Sequence, residues 1–297
     1  MGGCRRSMKG FVSPQEYFRL HGRRPRKHLG QHFLTQPKTA EKIVRAATLV
    51  PDDVVVEVGP GLGMLTAFLM DACRAVHLVE IDPQLADFLE EAVRGRGGAV
   101  RVHRQDILQF DWSGAAREAG RRLVIVGNLP YQISSPLLFH ILENRHAIHH
   151  GVFMVQREVG RRFAADTGSG DYGVLSVLLR LYGTVRPVMS VGPGQFYPPP
   201  KVDSLVVRID FPEDRNEVEG VDFPWLRHVV NAAFQKRRKT VANALAGFHG
   251  LGAAGARAVL QATGIDPGLR PEALRPESFA SLARTLKERI SAPDQTV

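Results

Sequence analysis

The residues best suited to chemistry in this 297-residue chain stand at the end of a β-branched run, "VIVGNLPYQISS" (124–135). An amide, Asn128, is followed by Leu129, Pro130 and Tyr131. That set suits a planar amino nitrogen such as the one on adenine. This nitrogen is a weak nucleophile because its lone pair is delocalised into the ring. Two acceptors on its hydrogens draw the lone pair out of conjugation. Asn128 offers a side-chain carbonyl and Leu129 a backbone one. Pro130 stiffens the turn and adds no competing N–H, and Tyr131 offers a face for stacking. If the electrophile is a sulfonium methyl, the leaving group is a neutral thioether. No general acid is then required, and alignment carries most of the catalysis. Such a base has to leave its stack first. Taken alone, the tetrapeptide reads equally as an Asn-initiated turn with Tyr131 in the core.

Three further features fall at corresponding places. "EVGPGLG" carries Gly59, Gly61 and Gly63 between a strand and a helix. A dinucleotide fingerprint, G-x-G-x-x-G, needs a glycine at position 64, where this chain has Met64. Glu80 ends the next apolar run, 21 residues after Gly59, and Asp106 follows the third. Ligands of open α/β sheets sit at the carboxyl ends of the strands. A carboxylate at the second strand end can take both ribose hydroxyls, and one at the third can accept from an adenine amino group. Each acid alone reads more simply as an exposed strand end or a helix cap. Together, and without a phosphate-binding lysine motif, they point to S-adenosylmethionine. "GQFYPPPKVDS" adds Phe196, which can close the other face of a target base or can be an ordinary aromatic in a proline-rich loop.

The elements that would hold these residues follow from apolar periodicity. "VVVEVG", "AVHLVE", "AVRVHRQD", "RLVIVGN" and "GVFMVQ" alternate with helical patterns. Continuous apolar strands between helices imply a parallel sheet covered on both faces. "TVRPVMSV" and "SLVVRIDF" have no helix between them and read as antiparallel strands closing the sheet edge. "PEDRNEVEG" (212–220) is polar and aperiodic, a linker. Helical patterns follow it. The expected fold class is α/β, a Rossmann-like methyltransferase sheet ending in antiparallel strands, with a small all-helical C-terminal domain. With the resemblance described below, the expected domains are a basic, flexible arm over 1–25, a methyltransferase domain over 26–211, the linker 212–220 and a helical RNA-binding domain over 221–297. His146, His149 and His150 read as a solvated helix end, and no metal is expected.

Composition narrows the class further. Hydrophobic residues make up 44% of the chain, enough for a sizeable core. No apolar run approaches the roughly 18 residues of a membrane span. Two cysteines without a C-x-x-C pair fit a reducing compartment. No N-terminal apolar region reads as a secretory signal, so a soluble, cytoplasmic protein is expected. The net charge is +9. Residues 1–28 hold eight Lys or Arg against Glu16 alone, and Lys236, Arg237, Arg238 and Lys239 stand in a row in "FQKRRKT". Basic runs beside aromatics suit a polyanion, although they also suit a solvated helix face and a loose arm.

Taken together, the motifs resemble a known family. "RKHLGQHFL", "VVEVGPGLGMLT", "LVEID", "QDIL", "VGNLPYQISSPLL", "FYPPPKVDSLVVRI" and "NAAFQKRRKTVANAL" occur in the order found in the small-subunit ribosomal RNA adenine dimethyltransferases. The likeness runs from about Arg26 to about residue 286. It implies N6,N6-dimethylation of two adjacent adenines in the 3′-terminal hairpin of small-subunit rRNA, late in assembly of the pre-ribosomal particle, by a monomer. It implies that His32 and Leu34 close over the cofactor, that Gly59, Gly61 and Glu80 hold its methionyl and ribose parts, and that Asp106 holds its adenine. Asn128 would lie between cofactor and target and bind both, Leu129, Pro130 and Tyr131 would meet the target base, and Phe196 would stack on its far side. Lys236, Arg237, Arg238 and Lys239 would grip rRNA. Many relatives have Asn where this chain has His32, and an imidazole, like an amide, can donate and accept.

Three other readings share some of these features. A large-subunit adenine methylase of the macrolide-resistance type has the same architecture, but "YPPPKVDS" and "FQKRRKT" favour the first reading. A DNA adenine methylase usually has proline at position 129 and a separate target-recognition domain. A non-catalytic RNA-binding assembly factor would not need Glu80, Asp106 and Asn128 together.

Overall fold

The computed structural model describes residues 12–95, 99–215, 218, 220–236 and 238–291. The chain forms two compact units, 1–160 with 185–211 and 161–184 with 212–297.

The first unit opens with helix α1 (Pro14–Leu20), capped by the Ser13 side chain. A short strand β1 (Phe33–Leu34) and helix α2 (Pro37–Ala46) follow. Then come β2 (Val54–Val58), α3 (Thr66–Leu69), β3 (Ala75–Glu80), α4 (Pro83–Val93), β4 (Ala99–Arg104), α5 (Trp112–Ala119), β5 (Leu123–Asn128), α6 (Ser134–Glu143) and β6 (Ile148–Gln156). Helix α7 (Arg157–Ala164) leaves this unit, helix α8 (Val174–Tyr182) lies in the second, and the chain then returns with β7 (Thr184–Val191), β8 (Phe196–Tyr197) and β9 (Ser204–Asp210). The seven-stranded sheet has the order β4-β3-β2-β5-β6-β9-β7. β4, β3, β2, β5 and β6 pair in parallel, and β9 runs antiparallel to β6. This is the α/β class read from the apolar runs. Every residue of β2 is buried, as a central strand covered on both faces requires.

Placing β2 and β5 side by side creates the topological switch, since α4 and α6 leave the sheet in opposite directions along it. A separate two-stranded ribbon pairs β1 with β8, Phe33 against Tyr197 and Leu34 against Phe196.

Several expectations change. The arm 1–25 is not loose over its described part. α1 buries Tyr17 and Phe18 against Phe33, Leu62 and Leu85. Tyr17 also meets the ring of Phe88, with centroids 5.1 Å apart. Aromatic burial outweighs the basic character of the segment. Residues 1–11 lie outside the described residues. His149 and His150 are not on a helix end but at the start of β6. His150 is buried, with Nε2 2.7 Å from the Ala47 carbonyl.

The second unit includes residues 161–184, which the sequence reading gave to the first domain. Tyr172 and Tyr182 bury there, beside Phe234 and Phe223 of helix α9 (Phe223–Phe234), with centroids 6.1 and 5.6 Å apart. Tyr172 donates from its hydroxyl to the Leu274 carbonyl at 3.1 Å. Helices α10 (Val241–Leu245), α11 (Gly252–Ala262) and α12 (Pro276–Ser291) complete it. Phe234 stacks on Phe279 of α12, and the Trp225 indole donates to the Ala283 carbonyl at 2.8 Å. Of the linker 212–220, residues 216, 217 and 219 lie outside the described residues. Among the described residues no helix is long and apolar enough to cross a membrane.

Candidate active site

The carboxyl ends of β2, β3, β4 and β5 open onto one cleft. Its walls include His32, Leu34, Gly59, Gly61, Glu80, Asp106, Asn128, Leu129, Pro130 and Tyr131. Ten of the residues singled out from sequence are thus brought together by the sheet.

The glycine turn after β2 forms the floor. Gly61 has a φ of +58°, and a Cβ there would sit 3.0 Å from the Phe33 ring. Only glycine gives both the left-handed backbone and the clearance. The Gly61 N–H donates to Glu80 Oε2 at 3.0 Å, and the Asp82 N–H donates to Oε1 at 2.9 Å. Glu80 is 4% exposed, and burial pushes its carboxyl up to about 7 against the pull of those two N–H groups. The Ile81 N–H also acts on this carboxyl, and acceptor capacity remains for a ligand hydroxyl.

Asp82 caps α4 through the Gln84 N–H. It also accepts from Gln31 Nε2 at 3.0 Å and lies 3.4 Å from Arg26 Nε. Gln31 in turn accepts the Arg26 N–H. The 26–34 segment is thereby fastened beside Glu80. Asp106 caps the short turn after β4, accepting the Leu108 N–H at 3.0 Å with Oδ1.

Asn128 has its orientation fixed by chemistry. Its amide donates to the His32 carbonyl at 2.8 Å. A carbonyl can only accept, so the Asn128 nitrogen must face it and the oxygen must face away. The Leu129 N–H donates to the Met154 carbonyl at 2.9 Å, and the leucine side chain is buried. The Pro130 carbonyl accepts from Ile133 and from the Ser134 hydroxyl. Tyr131 stacks near His32 (5.5 Å, 28°), and its hydroxyl meets Ser204 at 3.4 Å. Burial raises the Tyr131 hydroxyl above its usual range, so the ring stays neutral. His32 Nδ1 lies 2.8 Å from the Pro198 carbonyl.

Phe196 departs from expectation. It is 5% exposed, packs with Leu34, Val191 and Val206 in the core, and is absent from the cleft wall. Pairing of β8 with β1 turns its ring inward. Two residues that sequence reasoning passed over do line the cleft. Glu57 is 1% exposed inside β2 and accepts from the Thr66 hydroxyl at 2.6 Å. Burial pushes it up to about 8, so it carries a proton at neutral pH. Its signal was a lone acid within "VVVEVG". Ile81 is 53% exposed although apolar, and it faces the cleft between Glu80 and Asp82. A planar apolar ligand would cover it.

These groups suit S-adenosylmethionine. A buried carboxylate with spare lone pairs fits a ribose diol. Ile81 and Asp106 fit the face and the amino edge of adenine, and the glycine turn admits the methionyl chain. Among the described residues no three His, Cys, Asp or Glu are grouped to hold a metal ion. Lys236, Arg238 and Lys239 are exposed after α9 in the second unit. Arg237 lies outside the described residues.

Known proteins resemble this chain over most of its length. The profile of the ribosomal RNA adenine dimethylase family matches residues 22–288. The ribosomal RNA small subunit methyltransferase A of Nitrosococcus oceani is 43% identical over 263 residues, covering 89% of this chain and 96% of that protein. The protein of the same name from Syntrophotalea carbinolica is 43% identical over 265 residues, covering 89% and 97%. The crystal structure of the 23S rRNA methyltransferase ErmE superposes with a TM-score of 0.62 and 28% identity, covering 86% of this chain and 99% of that one. A dimethyladenosine transferase from Plasmodium falciparum shares the fold, with a TM-score of 0.75, 24% identity and coverage of 87% and 98%.

Proposed function

Because the chain belongs to the ribosomal RNA adenine dimethylase family, we propose that its cleft methylates two adjacent adenines in the 3′-terminal hairpin of small-subunit rRNA. The enzyme is an S-adenosylmethionine-dependent rRNA adenine dimethyltransferase. The substrate is the pre-ribosomal small subunit late in assembly, and the enzyme works as a cytoplasmic monomer. The name shared by relatives at 43% identity supports the choice of subunit.

When bound, S-adenosylmethionine supplies an electrophilic methyl group. Glu80 accepts the ribose hydroxyls, and Asp106 accepts from the adenine amino group. His32 and Leu34, fastened through Asn128 and β8, keep water off the cofactor side. At the target, the Asn128 side-chain oxygen and the Leu129 carbonyl accept the two amino hydrogens. This draws the nitrogen lone pair out of the ring and aims it at the methyl. Tyr131 stacks on the base. Burial keeps its hydroxyl protonated, so no phenolate competes as nucleophile. The proton released on methylation passes to solvent after transfer, since a neutral thioether leaves and needs none.

The observation that carries this reading is the shared cleft wall of Glu80, Asp106, Asn128 and Tyr131. The likeness to ErmE supports a second reading, methylation of large-subunit rRNA. One assay separates the two. Tritiated S-adenosylmethionine is offered with unmethylated small subunits, naked small-subunit rRNA, large subunits and DNA, followed by nucleoside analysis. Dimethyladenosine is expected from small subunits alone. Label in large subunits and none in small ones would overturn the choice of substrate.

A further inference from the structure

The helical unit carries a surface pocket that the chemistry above does not use. Its floor is Ala232, Ala244 and Phe248, all buried, and its rim is His228, Gln235, Lys236 and His249, all exposed. The Phe248 ring lies 4.8 Å from His228 and 4.6 Å from His249, with Trp225 5.7 Å from Phe248. The two imidazoles approach Nε2 to Nε2 at 3.3 Å. His249 has φ 46° and ψ 34°, one of two non-glycine residues in the left-handed region among those described. Such a conformation persists where the surroundings enforce it, and it concentrates at binding sites. Here it holds an aromatic ring in solvent rather than in the core.

The pocket joins an apolar floor, exposed ring faces, an amide that can read a polar edge, and a cation. Lys236 also begins the exposed basic run continued by Arg238 and Lys239. A nucleotide presents the complementary set of a flat base, an edge of donors and acceptors, and a phosphate. No group of three metal-ligating side chains lies there among the described residues, so the histidine pair is not part of a metal set.

We propose that this pocket takes one unpaired nucleobase of the RNA substrate. The base stacks on the exposed imidazole of His249 over the Phe248 floor. Gln235 meets its polar edge, and Lys236 meets its phosphate. The inference rests on the reading that the helical unit grips rRNA, and it adds a stacking contact to a surface otherwise argued from charge. Stacking tolerates any base, because every base has a π-face.

The test uses the full-length protein with S-adenosylhomocysteine and a fluorescent small-subunit rRNA transcript, titrated at several salt concentrations. His249→Gly removes the ring and suits the left-handed backbone, so the melting temperature should stay level or rise. RNA affinity should fall about five- to a hundredfold at every salt concentration, the range for one stacked base. The slope of log K against log salt should not change, because no phosphate contact is lost. A second variant, Lys236→Gln with Arg238→Gln and Lys239→Gln, should reduce that slope by about 0.7–0.9 for each phosphate contact removed. Wild-type affinity in His249→Gly, beside a weakened basic variant, refutes the pocket and leaves the helical unit as an RNA grip. Wild-type affinity in both refutes the grip as well. A changed slope in His249→Gly would mean that the ring acts as a cation, which also overturns the stacking proposal.

Discussion

Replacing Asn128 tests the proposed chemistry most directly. Asn128→Ala removes two things that the structure separates. One is the 2.8 Å bond from the amide to the His32 carbonyl. The other is the side-chain oxygen, which faces away from His32. Loss of the first should cost about 0.5–1.5 kcal/mol of stability, a net hydrogen bond in a half-buried setting. For a protein of this size that is a fall of roughly 1–2.5 °C in melting temperature. Cofactor affinity should change little, since Glu80 and its backbone partners remain. Loss of the oxygen falls on the chemical step, because it matters most as the amino nitrogen rehybridises. Misalignment on the order of 1 Å can cost about a hundredfold, so single-turnover methylation of small subunits should slow by at least that. Asn128→Asp is the control. When ionised it also cannot donate to the His32 carbonyl and is repelled by it, so it loosens the 26–34 segment at least as much as alanine does. It keeps an acceptor, however, and should retain partial activity where alanine retains almost none. Equal rates for the two variants would refute the acceptor role. A wild-type rate in the alanine variant would reduce Asn128 to a loop residue.

Three other outcomes are expected. Glu57 rests neutral in the fold, with its carboxyl pushed to about 8 against a reference value of 4.5. As pH rises from about 4.5 to 8 the unfolded chain loses this proton while the fold retains it, so stability falls by up to about 1.4 kcal/mol per pH unit. Urea unfolding of the ligand-free protein should show Glu57→Gln gaining on wild type across that window, and parallel curves would exclude the buried proton. Glu80, pushed to about 7, should bind ribose hydroxyls best when ionised. Calorimetry should find cofactor affinity rising roughly tenfold from pH 6 to pH 8 in wild type, and staying flat and weaker in Glu80→Gln; a pH-independent wild type would count against the diol contact. Phe196→Ala should destabilise the fold by about 3–5 kcal/mol, seen as a lowered melting temperature, whereas a stable variant with slow methyl transfer would return Phe196 to the target base.

The legible and illegible parts of the site differ in kind. Glu80, Asp106 and Asn128 could be read because each ends an apolar run, and the ends of parallel strands converge whatever the details of packing. Glu57 escaped because it sits within a strand, where neither periodicity nor strand-end position marks it. Its role depends on Thr66 standing opposite. Phe196 has two readings in sequence because a run of prolines fixes a loop's backbone but not the side to which its aromatic turns. That side is set by pairing with Leu34, far away in sequence. The N-terminal segment was judged by its charge, yet its structure is decided by Tyr17 and Phe18, whose partners come from four other segments. Residues 161–184 show helical pattern plainly, but pattern does not say which core a helix joins. Tyr172 and Tyr182 settle that by burying beside α9.

The ribbon joining β1 to β8 also governs when the cofactor site first exists. His32 meets Pro198 across a sequence separation of 166 residues. During synthesis at about 5–20 residues per second, roughly ten to thirty seconds therefore pass between the emergence of one half of the clasp and the other. Once β5 has emerged, the nascent chain has β2, β3 and β5 but lacks the clasp over the cleft until Pro198 follows. Whatever share of cofactor binding the clasp supplies therefore stabilises the finished fold and not the early nascent chain.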